Sequence, residues 1–426
     1  MRRLGAAAVM LSAALTVTAC GNGGDTADSG TIEGEITVLT HRTDLIDTVF
    51  ADYKKKFETK YPGTSVRFEA ITDYEGEVRI RMNTKEYGDV LVIPNSITSD
   101  QLPTFFEPLG TVEEMGKKYR FVHEQASGDT VYGIAITGNA QGFVYNKKVW
   151  TAAGVTEPPK TPADFLAALT AIKAKTDAIP LYTNYKEGWP LGQWEGARGA
   201  VSGDPDAVTK LAHDDSPWAE GKEHHIIDSL LYDAVAAKLT EPDPTTTNWE
   251  NSKQLFGTGK VATMMLGSWA VVQMQAAAPD KADIGYLPFP AQANGSFHST
   301  ISGDYKNAIN INSKNKATAR AWVDWFADES NYAVDQGGIS PVISEGVPAT
   351  LADLTAANTK LFELNPPPKG EEGLANKVDT EAEIGLFDGK HRQRLVDAAR
   401  GASKESKEAI FADLNKRWAE AMKKVS

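Results

Sequence analysis

From Glu35 onward, short apolar runs alternate with longer stretches in which apolar residues recur every three or four positions. Glu35 to Thr40 (EITVLT) reads as a buried strand. Asp44 is placed to N-cap the next helix, with Asp47 three residues on, and Leu45, Ile46, Val49, Phe50, Tyr53 and Phe57 share one helical face. Pro62-Gly63 ends that segment. Val66, Phe68 and Ala70 alternate as a second strand, and a helix over 75–86 and a strand over 89–93 follow. Strands alternating with helices in this way predict a parallel α/β sheet. Ligands of such sheets bind beyond the carboxyl ends of the strands, which draws attention to His41, Arg42, Asp44, Asn95 and Ser96.

A second α/β unit begins near Gly142, with a strand over 143–145 and a short helix over 146–153 closed by Gly154. Thr161-Pro162-Ala163-Asp164 opens a helix whose core face is Phe165, Leu166, Leu169 and Ile172. Further strands are predicted over 179–182, 261–266 and 283–287. One helix precedes Gly257, and Ser268 caps another that runs through Gln275. After Ser302 a strand over 308–311 and a helix over 316–326 return to the same rhythm. The tail reads as helix over 351–364 and 391–424, with a proline-rich loop over 365–373 between them.

The chain has 426 residues and a net charge of −13, which argues against a nucleic-acid surface. The length favours two domains over one. Its single cysteine, Cys20, excludes a disulfide framework and any zinc site built on two or more thiolates. Arg2 and Arg3 precede an apolar run over 4–17, too short to span a bilayer and of the right size for a signal-peptide core. Thr16-Val17-Thr18-Ala19-Cys20-Gly21 resembles the lipobox of bacterial lipoproteins. That resemblance implies cleavage after Ala19, a lipid on Cys20, and a tether over 20–32 at the outer face of the cytoplasmic membrane, a Gram-positive surface being favoured. Lipid then supplies the membrane attachment without a spanning helix.

A catalytic signature is missing. His224-His225 are adjacent, without the i, i+4 spacing of a metal pair on one helix face, and read as a solvated surface pair. Gly257-Thr258-Gly259-Lys260-Val261 lacks the spacing and the Ser/Thr of a phosphate loop, and there is no G-x-S-x-G elbow. What recurs is an aromatic ring beside polar residues in loops: Asp73-Tyr74, Trp189, Trp194-Glu195, Trp269 and Asp304-Tyr305. Sugars need this mixture, because their C–H faces stack on rings while their hydroxyls pair with polar side chains. Trp150, Trp322, Trp325 and Trp418 read instead as core.

Several segments, in order, resemble the carbohydrate-binding group of the extracellular solute-binding proteins of bacterial ABC importers. They are Ile36 to Arg42 (ITVLTHR), Phe57 to Gly63 (FETKYPG), Tyr145 to Trp150 (YNKKVW), Pro159 to Phe165 (PKTPADF), Phe256 to Met265 (FGTGKVATMM) with Gly267-Ser268-Trp269-Ala270, and Ser313 to Ala319 (SKNKATA). The resemblance implies a two-lobed α/β periplasmic-binding-protein-like fold with hinge strands and a central cleft. Lobe I is expected over 33–138 plus 288–336, and lobe II over 139–287 plus 337–426. It implies ligand contacts from His41, Arg42, Asp44, Asn95 and Trp269, and from Asn139 at the first crossing. Asp73, Tyr74, Trp189, Trp194, Glu195, Asp304 and Tyr305 complete the candidate set. The expected function is capture of a sugar, an oligosaccharide in particular, and delivery to ABC permease subunits by a monomer that uses no cofactor or metal and binds no nucleic acid. The alternatives are a receptor for a peptide or oxyanion on the same fold, and a glycoside hydrolase.

Overall fold

The computed structural model describes residues 30–425; the expected signal segment and Cys20 lie outside them. The first sheet has the strand order 64–70, 34–40, 90–92, 306–309, 134–135. Its first three strands are parallel, with Ile36 opposite Val66 and Val38 opposite Val90; the last two pair antiparallel. The helices Ala51–Lys60 and Lys316–Asp328 cover it. Phe57 meets Trp322 edge-on at 5.1 Å, and Phe50 stacks on Phe68 at 5.1 Å. Trp322 and Trp325 are buried here, as their helical spacing predicts.

The second sheet is organised on Gly138–Asn146, which pairs antiparallel with Thr263–Gly267, Ile284–Leu287 and the end of Ser296–Gly303. Ser296–Gly303 also takes Lys360–Glu363 as a parallel neighbour. The chain therefore rejoins the first sheet at Lys306, and the return expected at 288 is corrected: residues 296–303 are second-sheet residues. Asn146 and Thr161 cap the helices Lys147–Ala152 and Pro162–Lys175 through their side chains, as predicted. Trp150 and Trp418 are buried.

Four local expectations fail for identifiable reasons. Asp44 does not cap: both its oxygens accept from Arg42, at 2.9 and 2.7 Å, and a π-helical turn, Ile46–Phe50, leads into the α-helix. Ser268 does not cap either; its Oγ accepts from the Ala140 N–H at 3.0 Å and stitches two strands. The helix over 351–364 shrinks to Ala352–Ala356, because Asn358 turns left-handed (φ 52°) and the chain becomes the strand Lys360–Glu363. The C-terminal helix divides into Lys390–Ala399 and Lys407–Val425, with Gly401 (φ 81°) in the break.

Three segments link the sheets. Ile136 donates to Tyr305 (2.9 Å), Asp304 to Thr137 (2.8 Å), and Gly138 and Ile339 exchange bonds of 2.7 and 2.8 Å. The approach is close enough to demand glycine. A Cβ on Gly138 would sit 2.4 Å from the Phe121 ring, and one on Gly338 would sit 2.0 Å from Thr137 Oγ1.

Candidate functional site

The first-lobe wall forms where Gly34–Thr40 ends and the hinge begins. His41 packs against Tyr305 at 4.5 Å, and the edge of Tyr74 supports both rings at 5.9 and 6.1 Å. Burial lowers the basicity of His41, and its Nδ1 has no hydrogen-bond partner among the described residues. Arg42 is held on both sides: Asp44 takes its Nε and one Nη, while the other Nη donates to Tyr332 (2.9 Å) and Gln336 (2.8 Å). That hydrogen-bonded pairing holds Asp44 below the usual carboxylate range. Glu75, on the first turn of Tyr74–Arg81, collects the Tyr305 hydroxyl (2.8 Å) and both the amide and the backbone N–H of Asn95 (3.1 Å each). All three bonds fall on Oε1, leaving Oε2 without a partner among the described residues. Asp304 accepts from the Tyr305 N–H at 2.9 Å, beside the crossing.

The second-lobe wall is aromatic. Trp189, Trp249 and Trp269 form a triangle with ring separations of 5.2, 5.7 and 5.9 Å. Trp269 follows Thr263–Gly267, whose last residue lies opposite Gln141, three residues from Gly138 at the crossing. The platform therefore stands at the hinge end of its lobe. Trp189 is 38% exposed, and the backbone N–H of Trp249 donates to Glu187 Oε1 at 2.7 Å. Asn139 is buried at the hinge, opposite Ser302.

Four expected contacts change role. Trp194, 2% exposed, packs edge-on to Phe143 at 5.6 Å in the core. Glu195 is buried, at 3.0 Å from Arg392, 3.0 Å from Arg198 and 3.1 Å from His224. Burial alone would raise its pKa, but His224, Arg198 and Arg392 hold it down to about 2. Both residues lie on the 3₁₀ turn Gln193–Ala197, which points them inward. The Tyr74 hydroxyl is taken up by Val92, donating to its carbonyl and accepting from its N–H, each at 2.9 Å. Asp73 caps its helix through the Gly76 N–H. His224 is likewise no surface residue: it is buried against Glu195, next to a cluster in which Asp228 accepts from Arg392, His391 and Trp218 at 2.8, 3.1 and 2.7 Å.

Sequence reasoning missed Glu75 and Trp249. Glu75 directly follows a chosen tyrosine, and Trp249 follows the N-cap Asn248 at a helix start, the pattern used to select Trp269. Among the described residues no cluster of three or more His, Cys, Asp or Glu could hold a metal, and no helix is long and apolar enough to cross a membrane.

Two α/β lobes joined by three crossings, with polar groups at the strand ends of one and an aromatic platform at the hinge end of the other, define a receptor that binds its ligand in a cleft. The chain belongs to the bacterial extracellular solute-binding protein family, which it matches over residues 43–333. It is similar to a binding protein of an ABC transporter from Bifidobacterium animalis subsp. lactis, solved in complex with mannobiose: 34% identity, 92% of this chain and 95% of that one, TM-score 0.82. It is also similar to a manno-oligosaccharide-specific solute-binding protein of the same organism in complex with mannotriose, at 32% identity over 94% and 97% of the two chains, TM-score 0.82. A multiple sugar-binding protein of Streptococcus mutans is 25% identical over 317 residues, 71% of this chain and 73% of its own length.

Proposed function

We propose that this protein captures an oligosaccharide between its lobes at the cell surface and delivers it to an ABC permease, and that manno-oligosaccharides are the ligand class. The observation that carries this reading is the pairing of the Trp189–Trp249–Trp269 platform on one lobe with the Arg42, Glu75, Asn95 and Tyr305 cluster on the other. Tryptophan faces suit the C–H faces of sugar rings, and the cluster offers acceptors and donors to their hydroxyls. The kinship with proteins solved with mannobiose and mannotriose supports the choice of sugar. The remaining expectations belong to this proposal: a monomer without catalysis, anchored through lipid on Cys20, with Asn139 and Asp304 at the base of the cleft.

Capture works by differential contact. The closed form gains over the open form only through bonds that a sugar makes to both lobes at once. Tyr305 and Asp304 lie on a crossing segment, so contacts there report directly on lobe orientation.

The test is a thermal-shift series on the lipid-free protein with manno-oligosaccharides, other oligosaccharides, peptides and oxyanions. A ligand that binds only the native state raises the midpoint by mass action. A rise with manno-oligosaccharides, abolished in Trp269→Ala and unaccompanied by product release, supports the proposal. A rise confined to a peptide or oxyanion overturns the carbohydrate reading, and sugar cleavage overturns the receptor reading.

A further inference from the structure

The second lobe holds a cavity apart from both walls. It measures ≈ 170 Å³ and lies between the helix Ala207–His213, the loop around Pro367 and the helix Leu374–Ala382, with Arg198 and Phe387 among its walls. By contrast, the void beneath His41 and Arg42 measures ≈ 20 Å³, room for about one water.

The lining has the composition of a built site. Phe387 is 38% exposed, and the Arg198 guanidinium lies 5.7 Å from its ring centre. Arg198 keeps one nitrogen 3.0 Å from Glu195, while its buried Nε has no hydrogen-bond partner among the described residues. A buried donor left unpaired is costly, so an acceptor that reached it would be favoured. Glu371 brings a carboxylate, one oxygen of which meets His213 at 2.8 Å, and Thr209 and Asn376 add a hydroxyl and an amide. Arginine and glutamate in one cavity offset each other's attraction for an ion. A neutral, hydroxyl-rich ring with an apolar face satisfies the set.

One wall of this cavity packs beside the turn that carries Trp189. The segment carrying Phe387 lies on Leu191 and Gly192: Arg392 donates to the carbonyls of both Leu191 (3.3 Å) and Leu386 (3.5 Å), and a Cβ on Gly192 would be 2.8 Å from the Phe387 carbonyl. Gly192 ends the helical turn that Trp189 begins, about 4.5 Å of rise away.

We infer that this cavity is an accessory subsite for one further neutral sugar unit of an oligosaccharide whose other units stack on Trp189 and Trp269. The inference rests on the proposed function and adds ligand length to it: affinity rises when the chain is long enough to reach Phe387.

Calorimetric titration of the lipid-free protein with mannobiose, mannotriose and mannotetraose tests it. The variants are Phe387→Ala, which removes the ring, and Thr209→Trp, which fills the cavity from its rim; thermal melts check that each folds. In the wild type the longest ligand is expected to bind about tenfold more tightly than mannobiose. Both variants are expected to abolish that ratio while leaving mannobiose affinity unchanged. A ratio that survives in both folded variants overturns the inference, as does a wild type that binds mannobiose with no gain from length. An equal loss of mannobiose affinity in the variants also overturns it, by placing Phe387 in the principal site. A wild type that binds none of the three refutes the mannoside reading itself.

Discussion

Glu241 is a buried carboxylate bonded to the start of the segment that leads to Trp189. It accepts from the Thr183 N–H at 2.9 Å and from the Thr183 hydroxyl. Thr183 leads through the left-handed Asn184 (φ 53°) into the turn Tyr185–Glu187 and then to Trp189. Burial pushes the Glu241 carboxyl up to about 7 from an ordinary 4.5, against the pull of the Thr183 bonds. The folded protein thus binds this proton more tightly than the unfolded chain does. Between pH 4.5 and 7 the native state carries more protons, so stability falls as pH rises through that window and is level above it. At ~1.36 kcal/mol per pH unit, the cost above pH 7 is about 3 kcal/mol. Glu241→Gln keeps an acceptor for Thr183 and removes the titration. Urea unfolding of both proteins at intervals from pH 4.5 to 8 measures the effect. The variant is expected to gain about 3 kcal/mol on the wild type across this range. Taking the difference cancels the contributions of Glu363 and Asp379, whose pKa values burial also raises. Parallel stability curves for the two proteins over the whole range would refute the assignment.

Asp228→Ala removes one of the two carboxylates paired with a fully buried Arg392, and chemical denaturation is expected to show a loss of about 3–5 kcal/mol. Gly338→Ala is expected to cost about 1–3 kcal/mol through the clash with Thr137 Oγ1, and Thr137→Ala in the same chain to recover part of it; a double-mutant cycle of unfolding energies reads the coupling. Glu75→Ala removes the anchor of Tyr305 and Asn95 and is expected to weaken sugar affinity roughly ten- to hundredfold, measured by calorimetry, with little change in melting temperature.

Local chemistry in the sequence was enough to determine many of the elements. Thr161 and Asn146 cap helices because a short polar side chain can reach a backbone N–H three residues on, whatever the rest of the chain does. The apolar alternation of the first hundred residues specified a parallel sheet, and its strand ends pointed to His41 and Arg42. Ring-plus-polar loops singled out Trp189, Trp269 and Tyr305 as candidates, and the lipobox likeness carried the expectation of an anchor.

The tertiary structure alone decided which of those rings are exposed and which are core. Trp189 and Trp194 stand five residues apart in one Gly/Pro-containing stretch, yet one is exposed and the other lies in the core, because two short helical turns orient them differently. The partners that bury Glu195 and Asp228 arrive from Arg392, 197 and 164 residues away. Ser268 had the sequence of a cap, but its Oγ serves a strand 128 residues distant. Local pattern records the spacing that makes a helix or strand; it carries no record of which distant donor will claim a side chain once the sheets have packed.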